Sequence, residues 1–237
     1  MIPLFHDVTL VLKGGIHMTF DKDIEFLLSK FAHELRNPLT SAYSTVQLIE
    51  MQHPEVRDFK YWSAIAGDLE YMNELITDLS NFSKSERLQV KSFSSKAMLE
   101  QVSLSFAASI ANSQVDYTSR LDSSLPIING DEIKLKEVFR NLLKNAYEAC
   151  LPDKTIYLEA TQNDSELIVR IKDTGCGIPE EHLSTLFDPF VTHKKEGTGL
   201  GLAICDHVVK AHGGKLEVQS IPGSGTTFTV SLPRGNQ

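Results

Sequence analysis

Two apolar runs with heptad spacing, separated by a proline, dominate residues 21–84. A stripe of the first run has apolar or small residues three and four positions apart, namely Leu28, Phe31, Leu35, Pro38, Ala42, Thr45 and Ile49. The second run begins at about Glu55 and repeats the pattern at Trp62, Ile65, Leu69, Met72, Ile76 and Leu79. Pro54 breaks the helix between them, because proline removes a donor and restrains the preceding residue. We therefore predict an antiparallel hairpin of two long helices.

A hairpin of this kind cannot bury all of its apolar surface alone. Packing against a second copy into a four-helix bundle covers the remainder, so the pattern predicts a homodimer.

Beyond a serine- and lysine-rich linker over Ser83–Ser95, the pattern changes to a mixture of helices and alternating strands. Helices are predicted over Phe93–Asn112, Asp131–Cys150 with Gly130-Asp131 as its cap, and Leu200–His212. Strands are predicted over Val115–Leu121, Thr155–Ala160, Glu166–Ile171, Lys215–Ser220 and Thr226–Leu232. This order favours an α+β two-layer sandwich over residues 90–233, with its helices on one sheet face.

Composition excludes several classes of protein. The net charge of -8 repels a polyanion and argues against nucleic acid as a partner. No apolar run approaches the ~20 residues of a membrane span. The three cysteines are distant in sequence and favour neither a disulfide framework nor a zinc site, which indicates a reducing compartment. Residues 1–20 are interpreted as a native linker or an added leader, since His17-Met18 is encoded by a common cloning site.

His33, in the segment Phe31 to Leu39, is the first candidate for chemistry. With Phe31 and Leu35 on the apolar stripe, His33 is expected to face solvent, where an uncharged imidazole is a free nucleophile. Glu34 beside it can accept or orient a ring proton. Pro38 costs about 3 kcal/mol or more inside a plain helix, so it suggests a local bend nearby. An ordinary polar histidine on a solvated helix face is the alternative.

A polar stripe on the predicted helix Asp131–Cys150 is the second candidate site. Spacings of three and four place the following residues on one face: Glu137, Asn141, Lys144, Asn145 and Glu148. Amides and a lysine suit a hydrated magnesium ion and phosphate oxygens. A solvated stripe joined by ion pairs would have the same spacing.

Three glycine clusters form the third candidate site. They are Asp173-Thr174-Gly175-Cys176-Gly177, Gly197-Thr198-Gly199-Leu200-Gly201 and Gly223-Ser224-Gly225. Glycine allows positive φ and close approach of the backbone to a ligand, and the second cluster precedes a helix whose first amides can receive phosphate. Asp173 ends a predicted strand and can accept a hydrogen bond from the exocyclic amine of a purine. A turn or cap aspartate is the alternative.

The segment between the first two clusters combines aromatic and basic residues. Phe187-Asp188-Pro189-Phe190 is interpreted as an aromatic anchor and Val191–Glu196 as a mobile polar loop. Lys194 and Lys195 can reach phosphate from this loop, although paired loop lysines are commonly just solvated.

In this order, the segments resemble the cytoplasmic core of bacterial sensor histidine kinases over about Asp23–Leu232. His33–Leu39 is similar to the family's phosphoacceptor motif, and Asn141-Leu142-Leu143-Lys144-Asn145-Ala146 to its amide-rich motif. The other three similar motifs are Asp173-x-Gly175-x-Gly177, Phe187-x-x-Phe190 and Gly197-x-Gly199-x-Gly201. Within the family, the sequence as a whole resembles the sporulation kinases of bacilli.

The resemblance implies a dimeric helical-hairpin domain, residues 21–84, followed by an ATP-binding sandwich shared with gyrase, the Hsp90 chaperone and MutL. ATP and Mg²⁺ are the implied cofactors, with Asn145 as metal ligand and Asp173 at the adenine. The residues implied to surround the nucleotide are Asn141, Lys144, Asn145, Asp173, Gly175, Gly177, Phe187, Phe190, Lys194, Lys195, Gly197, Thr198, Gly199, Leu200, Gly201 and Thr226.

The implied function is a protein-histidine kinase of a two-component system or phosphorelay. His33 would take the γ-phosphoryl group of ATP, with Glu34 as general base, and pass it to an aspartate of a response-regulator receiver. The hairpin is also a candidate docking surface for a protein inhibitor. The resemblance implies a cytoplasmic location without membrane contact by this chain, either as a free protein or as the cytoplasmic part of a membrane-anchored sensor.

Asn141 departs from the hydrolytic relatives in the superfamily. Those enzymes usually carry a glutamate four residues before the metal-binding asparagine, where it can activate water. An amide cannot take that proton, so the site is expected to spare water and phosphorylate His33.

Two other functions stay open. In one, the protein mainly dephosphorylates its receiver, with Asn37, one turn after His33, orienting water. In the other, the chain is a nucleotide-sensing module whose hairpin only presents a docking surface.

Overall fold

Two units make up the chain in the computed structural model, Met1–Lys84 and Ser85–Gln237. The structure describes residues 22–84, 88–150, 154–194 and 197–234. Within these ranges, the side chains of residues 22–29, 31, 33 and 82–84 are not described. The segment interpreted as a linker or leader, residues 1–20, lies outside the described residues.

The first unit is a helical hairpin. Helix α1 is Lys22–Gln52 and continues through Pro38, a short 3₁₀ helix covers Pro54–Asp58, and helix α2 is Trp62–Lys84. The expected start of the second helix at Glu55 is wrong, because Pro54 opens the 3₁₀ turn and the buried Val56 anchors it. The Trp62 indole Nε1 donates to Glu50 Oε1 over 2.7 Å and so ties the start of α2 to the end of α1.

The face buried within the hairpin differs from the predicted stripe. Leu35, Ile65 and Met72 remain 51%, 48% and 42% exposed. On α1 most of the buried or half-buried nonpolar positions lie outside that stripe, namely Ala32, Leu39, Tyr43 and Val46. Five members of the predicted stripe are half-buried, namely Ile49, Trp62, Leu69, Ile76 and Leu79. Helices α1 and α2 each carry two neighbouring apolar stripes. Packing of α1 against α2 buries only one stripe on each helix.

The second unit contains a five-stranded sheet in the order β2-β4-β5-β7-β6. Its strands are β2 Asp116–Leu121, β4 Thr155–Gln162, β5 Glu166–Asp173, β6 Lys215–Ile221 and β7 Gly225–Pro233. Strand β2 is parallel to β4, and the other pairs are antiparallel. Strands β1 Lys91–Ser94 and β3 Ile127–Gly130 form a separate antiparallel pair. The helices are α3 Ser95–Ser109, α4 Glu132–Ala149, α5 Glu180–Leu183 and α6 Gly201–Ala211.

One face of the sheet forms the core. Alternate residues of β5 are buried, and the register pairs Leu167 with Leu232, Val169 with Val230 and Ile171 with Phe228. Helices α3, α4 and α6 contribute the opposing apolar side chains, among them Met98, Leu99, Phe139, Leu142, Leu143, Val208 and Val209. The predicted α+β sandwich with helices on one sheet face is confirmed.

The start of the predicted helix Phe93–Asn112 is wrong. Phe93 belongs to β1 and pairs with Ile128, and α3 begins only at Ser95. Ser94 ends the strand and caps the helix, because its side chain accepts a hydrogen bond from the Ala97 N–H over 3.2 Å. Strand β3 and helix α5, with four residues each, are too short to show a period in the sequence.

No helix among the described residues is both long enough and apolar enough to cross a membrane.

Candidate functional site

Helix α4 separates a core face from a polar face. Leu135, Val138 and Leu142 are buried, whereas Asn141 and Asn145 are partly exposed. Asp131 caps the helix, since its Oδ1 accepts from the Lys134 N–H over 3.2 Å. The amide residues predicted at spacing i, i+4 therefore lie on one accessible helix face.

Asp173 is a carboxylate on the core face of the sheet. The alternation that buries Leu167, Val169 and Ile171 places it there, and it is 2% exposed. Its Oδ1 accepts from the Gly175 N–H over 2.8 Å and from the Thr226 N–H over 3.2 Å. Burial raises the pKa of Asp173, and these two hydrogen bonds oppose the rise. Neither of these two hydrogen bonds uses Oδ2.

The first glycine cluster is held between α4 and the β6–β7 turn. A Cβ on Gly175 would lie 2.4 Å from the Ala149 carbonyl oxygen, so only glycine fits that approach. The Gly223 N–H donates to the Cys176 carbonyl over 2.7 Å. These contacts join the first and third clusters, which the sequence analysis had placed at one site.

The second glycine cluster is tied to the aromatic segment. Gly199 has a φ of 69°, and its carbonyl accepts from the Phe190 N–H over 3.0 Å. Leu200 is fully buried and anchors the start of α6, and its N–H donates to Thr198 Oγ1 over 3.2 Å. Phe190 itself is 57% exposed, whereas Phe187 is half-buried. Only Phe187 therefore fits the predicted aromatic anchor.

Lys194 reaches the polar face of α4. Its Nζ donates to Asn145 Oδ1 over 2.9 Å and to Glu148 Oε2. The structure thus brings the predicted loop lysine to the predicted metal ligand. Lys195 lies outside the described residues.

A stacked histidine pair lies in the same loop region and was missed by the sequence analysis. The rings of His182 in α5 and His193 are parallel within 9°, with centroids 3.5 Å apart. The Glu181 carboxylate lies 3.6 Å from His182 Nε2. No periodic or motif signal marks this contact, because it joins the four-residue helix α5 to a residue of the loop before the second glycine cluster.

In the hairpin, the phosphoacceptor candidates lie on α1. Glu34 and Asn37 are exposed. The backbone of His33 is helical. Its side chain lies outside the described part of the structure, so its orientation toward solvent stays a prediction.

Comparison with protein-family models also divides the chain into two parts. Residues 24–88 match the His Kinase A (phospho-acceptor) domain, and residues 130–236 match the histidine kinase-, DNA gyrase B- and HSP90-like ATPase family. These two matches define a phosphoacceptor helical domain joined to an ATP-binding domain. The chain belongs to the histidine kinase family, and the resemblance inferred from its motifs is confirmed.

Curated relatives include the signal transduction histidine-protein kinase AtoS of Escherichia coli, with 37% identity over 89% of this chain. Sporulation kinase C of Bacillus subtilis is 33% identical over 87% of the chain. The chain spans 35% and 48% of these two relatives. Sporulation kinases are thus among the relatives, as the overall sequence suggested.

Solved structures support the same fold. Full-length ShkA in complex with AMPPNP has a TM-score of 0.76 at 24% identity and covers 90% of this chain and 46% of that one. The catalytic domain of the histidine kinase ThkA has a TM-score of 0.57 at 28% identity, covering 62% of this chain and 96% of that domain.

Proposed function

We propose that this chain is a catalytic core that moves the γ-phosphoryl group of ATP to His33 and then to an aspartate of a response-regulator receiver. Residues 90–233 bind ATP, and residues 21–84 form the dimerisation and phosphoacceptor domain. The membership in the histidine kinase family and the ordered motifs support this assignment.

The assignment of the nucleotide site rests on one observation, the buried carboxylate of Asp173. A carboxylate on a core face is costly unless it is hydrogen-bonded. The Gly175 and Thr226 N–H groups satisfy Oδ1, and Oδ2 accepts the adenine amino group. The glycine at position 175 lets the backbone pass close enough to α4 to shape the edge of this pocket.

The polar face of α4 fits a hydrated magnesium ion. Asn145 and Asn141 supply amide oxygens, which are hard donors of the kind that Mg²⁺ prefers. When bound, Mg²⁺ neutralises charge on the phosphates. Lys144 and Lys194 hold phosphate oxygens beside it, and the Asn141 amide cannot act as a base toward water at its position.

Phosphoryl transfer requires mainly positioning and charge stabilisation. The His33 imidazole attacks the γ-phosphorus, the bond from that phosphorus to the bridging oxygen breaks, and ADP leaves. Glu34 takes the ring proton that the new N–P bond makes acidic. Asn37, one turn further along α1, is exposed.

The exposed stripe of the hairpin supports a homodimeric bundle. Leu35, Ile65 and Met72 are large apolar side chains left uncovered by α1 and α2. A second copy covers them in a four-helix bundle, whose outer surface docks the receiver and can also dock a protein inhibitor. The proposed location is the cytoplasm.

The test is incubation with γ-labelled ATP and Mg²⁺, followed by mapping of the label. Wild type and His53→Gln, which changes another histidine of the same unit, should carry acid-labile label. His33→Gln should carry none and still bind ATP. Labelled His33→Gln protein would refute the assignment. A wild type that binds ATP but carries no label would favour the nucleotide-sensing module instead.

A further inference from the structure

A cluster of three side chains links the loop before the second glycine cluster to α4. The Lys194 ammonium donates to Asn145 Oδ1 over 2.9 Å and to the carboxylate oxygen Glu148 Oε2. We refer to Lys194, Asn145 and Glu148 as the lysine clasp. The other carboxylate oxygen, Glu148 Oε1, lies 3.9 Å from Lys144 Nζ.

The clasp engages the same oxygen that the proposed function assigns to magnesium. An ammonium and a divalent cation both bind to the lone pairs of Asn145 Oδ1. Two cations bound to the same oxygen lie close together and repel each other. Glu148 strengthens the hold on the ammonium, because hydrogen bonds between ionised groups are roughly twice as strong as neutral ones. A cation that binds Asn145 must therefore displace Lys194.

We propose that Lys194 is an internal competitor for the divalent cation at Asn145, and that Glu148 is the positioning residue that holds it there. This inference rests on the proposed role of Asn145 as a metal ligand.

The experiment measures binding of AMPPNP by calorimetry at a series of Mg²⁺ concentrations, and in EDTA as the reference. The quantity compared is the Mg²⁺ concentration that gives half of the maximal increase in affinity. For Lys194→Met it should fall about tenfold, the factor expected for the loss of a charged hydrogen bond. Lys194→Arg restores the competing cation and should lie within about twofold of wild type.

A comparison variant separates direct competition from general electrostatics. Lys215→Met removes one positive charge from β6, where Lys215 pairs with Glu217. It should shift the half-saturating Mg²⁺ concentration by less than about twofold. Equal shifts in Lys215→Met and Lys194→Met would overturn direct competition.

A double-mutant cycle tests the part played by Glu148. Glu148→Gln removes a carboxylate that attracts the cation, but it also loosens the competing ammonium. The factor by which Glu148→Gln changes the half-saturating Mg²⁺ concentration should therefore be at least threefold smaller in the wild-type background than in the Lys194→Met background. Additive effects would overturn the positioning role.

Asn145→Ala distinguishes this inference from the proposed function. If Asn145→Ala keeps the wild-type stimulation by Mg²⁺, the assignment of Asn145 as a ligand fails. If Asn145→Ala loses that stimulation and Lys194→Met equals wild type, only the competition is overturned. An unchanged circular dichroism spectrum verifies that each variant is folded.

Discussion

The Nε2 atom of His212 accepts a hydrogen bond from the backbone N–H of Asp131 over 2.8 Å, across a sequence separation of 81 residues. The Nδ1 atom lies 2.7 Å from the Val208 carbonyl oxygen. Because a carbonyl only accepts and an N–H only donates, the ring must be neutral with its proton on Nδ1. His212 thus joins the end of α6 to the start of α4, the helix that carries Asn141 and Asn145.

This contact predicts a loss of stability in acid. Burial lowers the pKa of His212, the Val208 hydrogen bond and the Asp131 charge oppose this, and the Lys134 charge adds to it. With a folded pKa below the unfolded value of about 6.5, the stabilisation is complete above that value. It is lost progressively as the pH falls from 6.5 through the folded pKa.

The measurement is the free energy of unfolding of wild type and His212→Gln between pH 5 and 8. The glutamine oxygen can accept from Asp131 but cannot titrate, so its variant should lose less stability below pH 6.5. At pH 8 it should be less stable than wild type by about 1 kcal/mol. Burial raises the pKa of Asp173, so this residue changes stability with pH in the opposite sense. Both proteins contain Asp173, so its effect cancels in the comparison. Parallel pH profiles would contradict the role of His212.

Asp173→Asn should reduce the preference for adenine. The asparagine Oδ1 can still accept from Gly175 and Thr226, whereas its amide group presents donors in place of an acceptor. ATP affinity should fall about 10- to 100-fold and GTP affinity much less, because guanine carries a carbonyl at that position. Calorimetric titration with both nucleotides measures this, and Asp164→Asn in the β4–β5 turn is the matched control. An equal loss for both nucleotides would make Asp173 purely structural.

Substitutions of the two amide residues of α4 should have different effects on nucleotide binding and phosphoryl transfer. Asn145→Ala removes a proposed metal ligand and should abolish autophosphorylation and binding of ATP in Mg²⁺. Asn141→Glu adds a carboxylate that can activate water but also repels phosphate, so labelling of His33 should decrease. The ratio of free phosphate to phosphohistidine at saturating ATP should rise. A lower ratio with intact labelling would show that position 141 is not where a hydrolytic base acts.

Charges on the exposed stripe should dissociate the dimer. Ile65→Glu combined with Met72→Glu places two carboxylates where a partner would bury apolar surface. Light scattering at micromolar concentration should detect a dimer for wild type and a monomer for this variant. Ser63→Glu with Thr77→Glu, at two exposed polar positions of α2, should remain dimeric. A monomeric wild type would contradict the bundle.

Much of the second unit follows from local pattern. The alternation of β5 predicts its buried face. In the β4–β5 turn, Asn163 Oδ1 accepts from the Ser165 and Glu166 N–H groups, a local contact typical of asparagine in turns. The position of Phe93 could not be predicted from periodicity, because its strand exists only through pairing with β3. The parallel pairing of β2 with β4 is likewise a contact between distant segments.

The sequence by itself determined which residues can carry chemistry. Helical spacing puts Asn141 and Asn145 on one face, and strand alternation puts Asp173 on a core face, because both depend on the local backbone period. The tertiary structure alone decided which of these groups meet. Thr226 reaches Asp173 through the pairing of β5 with β7, and Lys194 reaches Asn145 across 49 positions. Such contacts depend on the packing of whole elements, which no local pattern encodes.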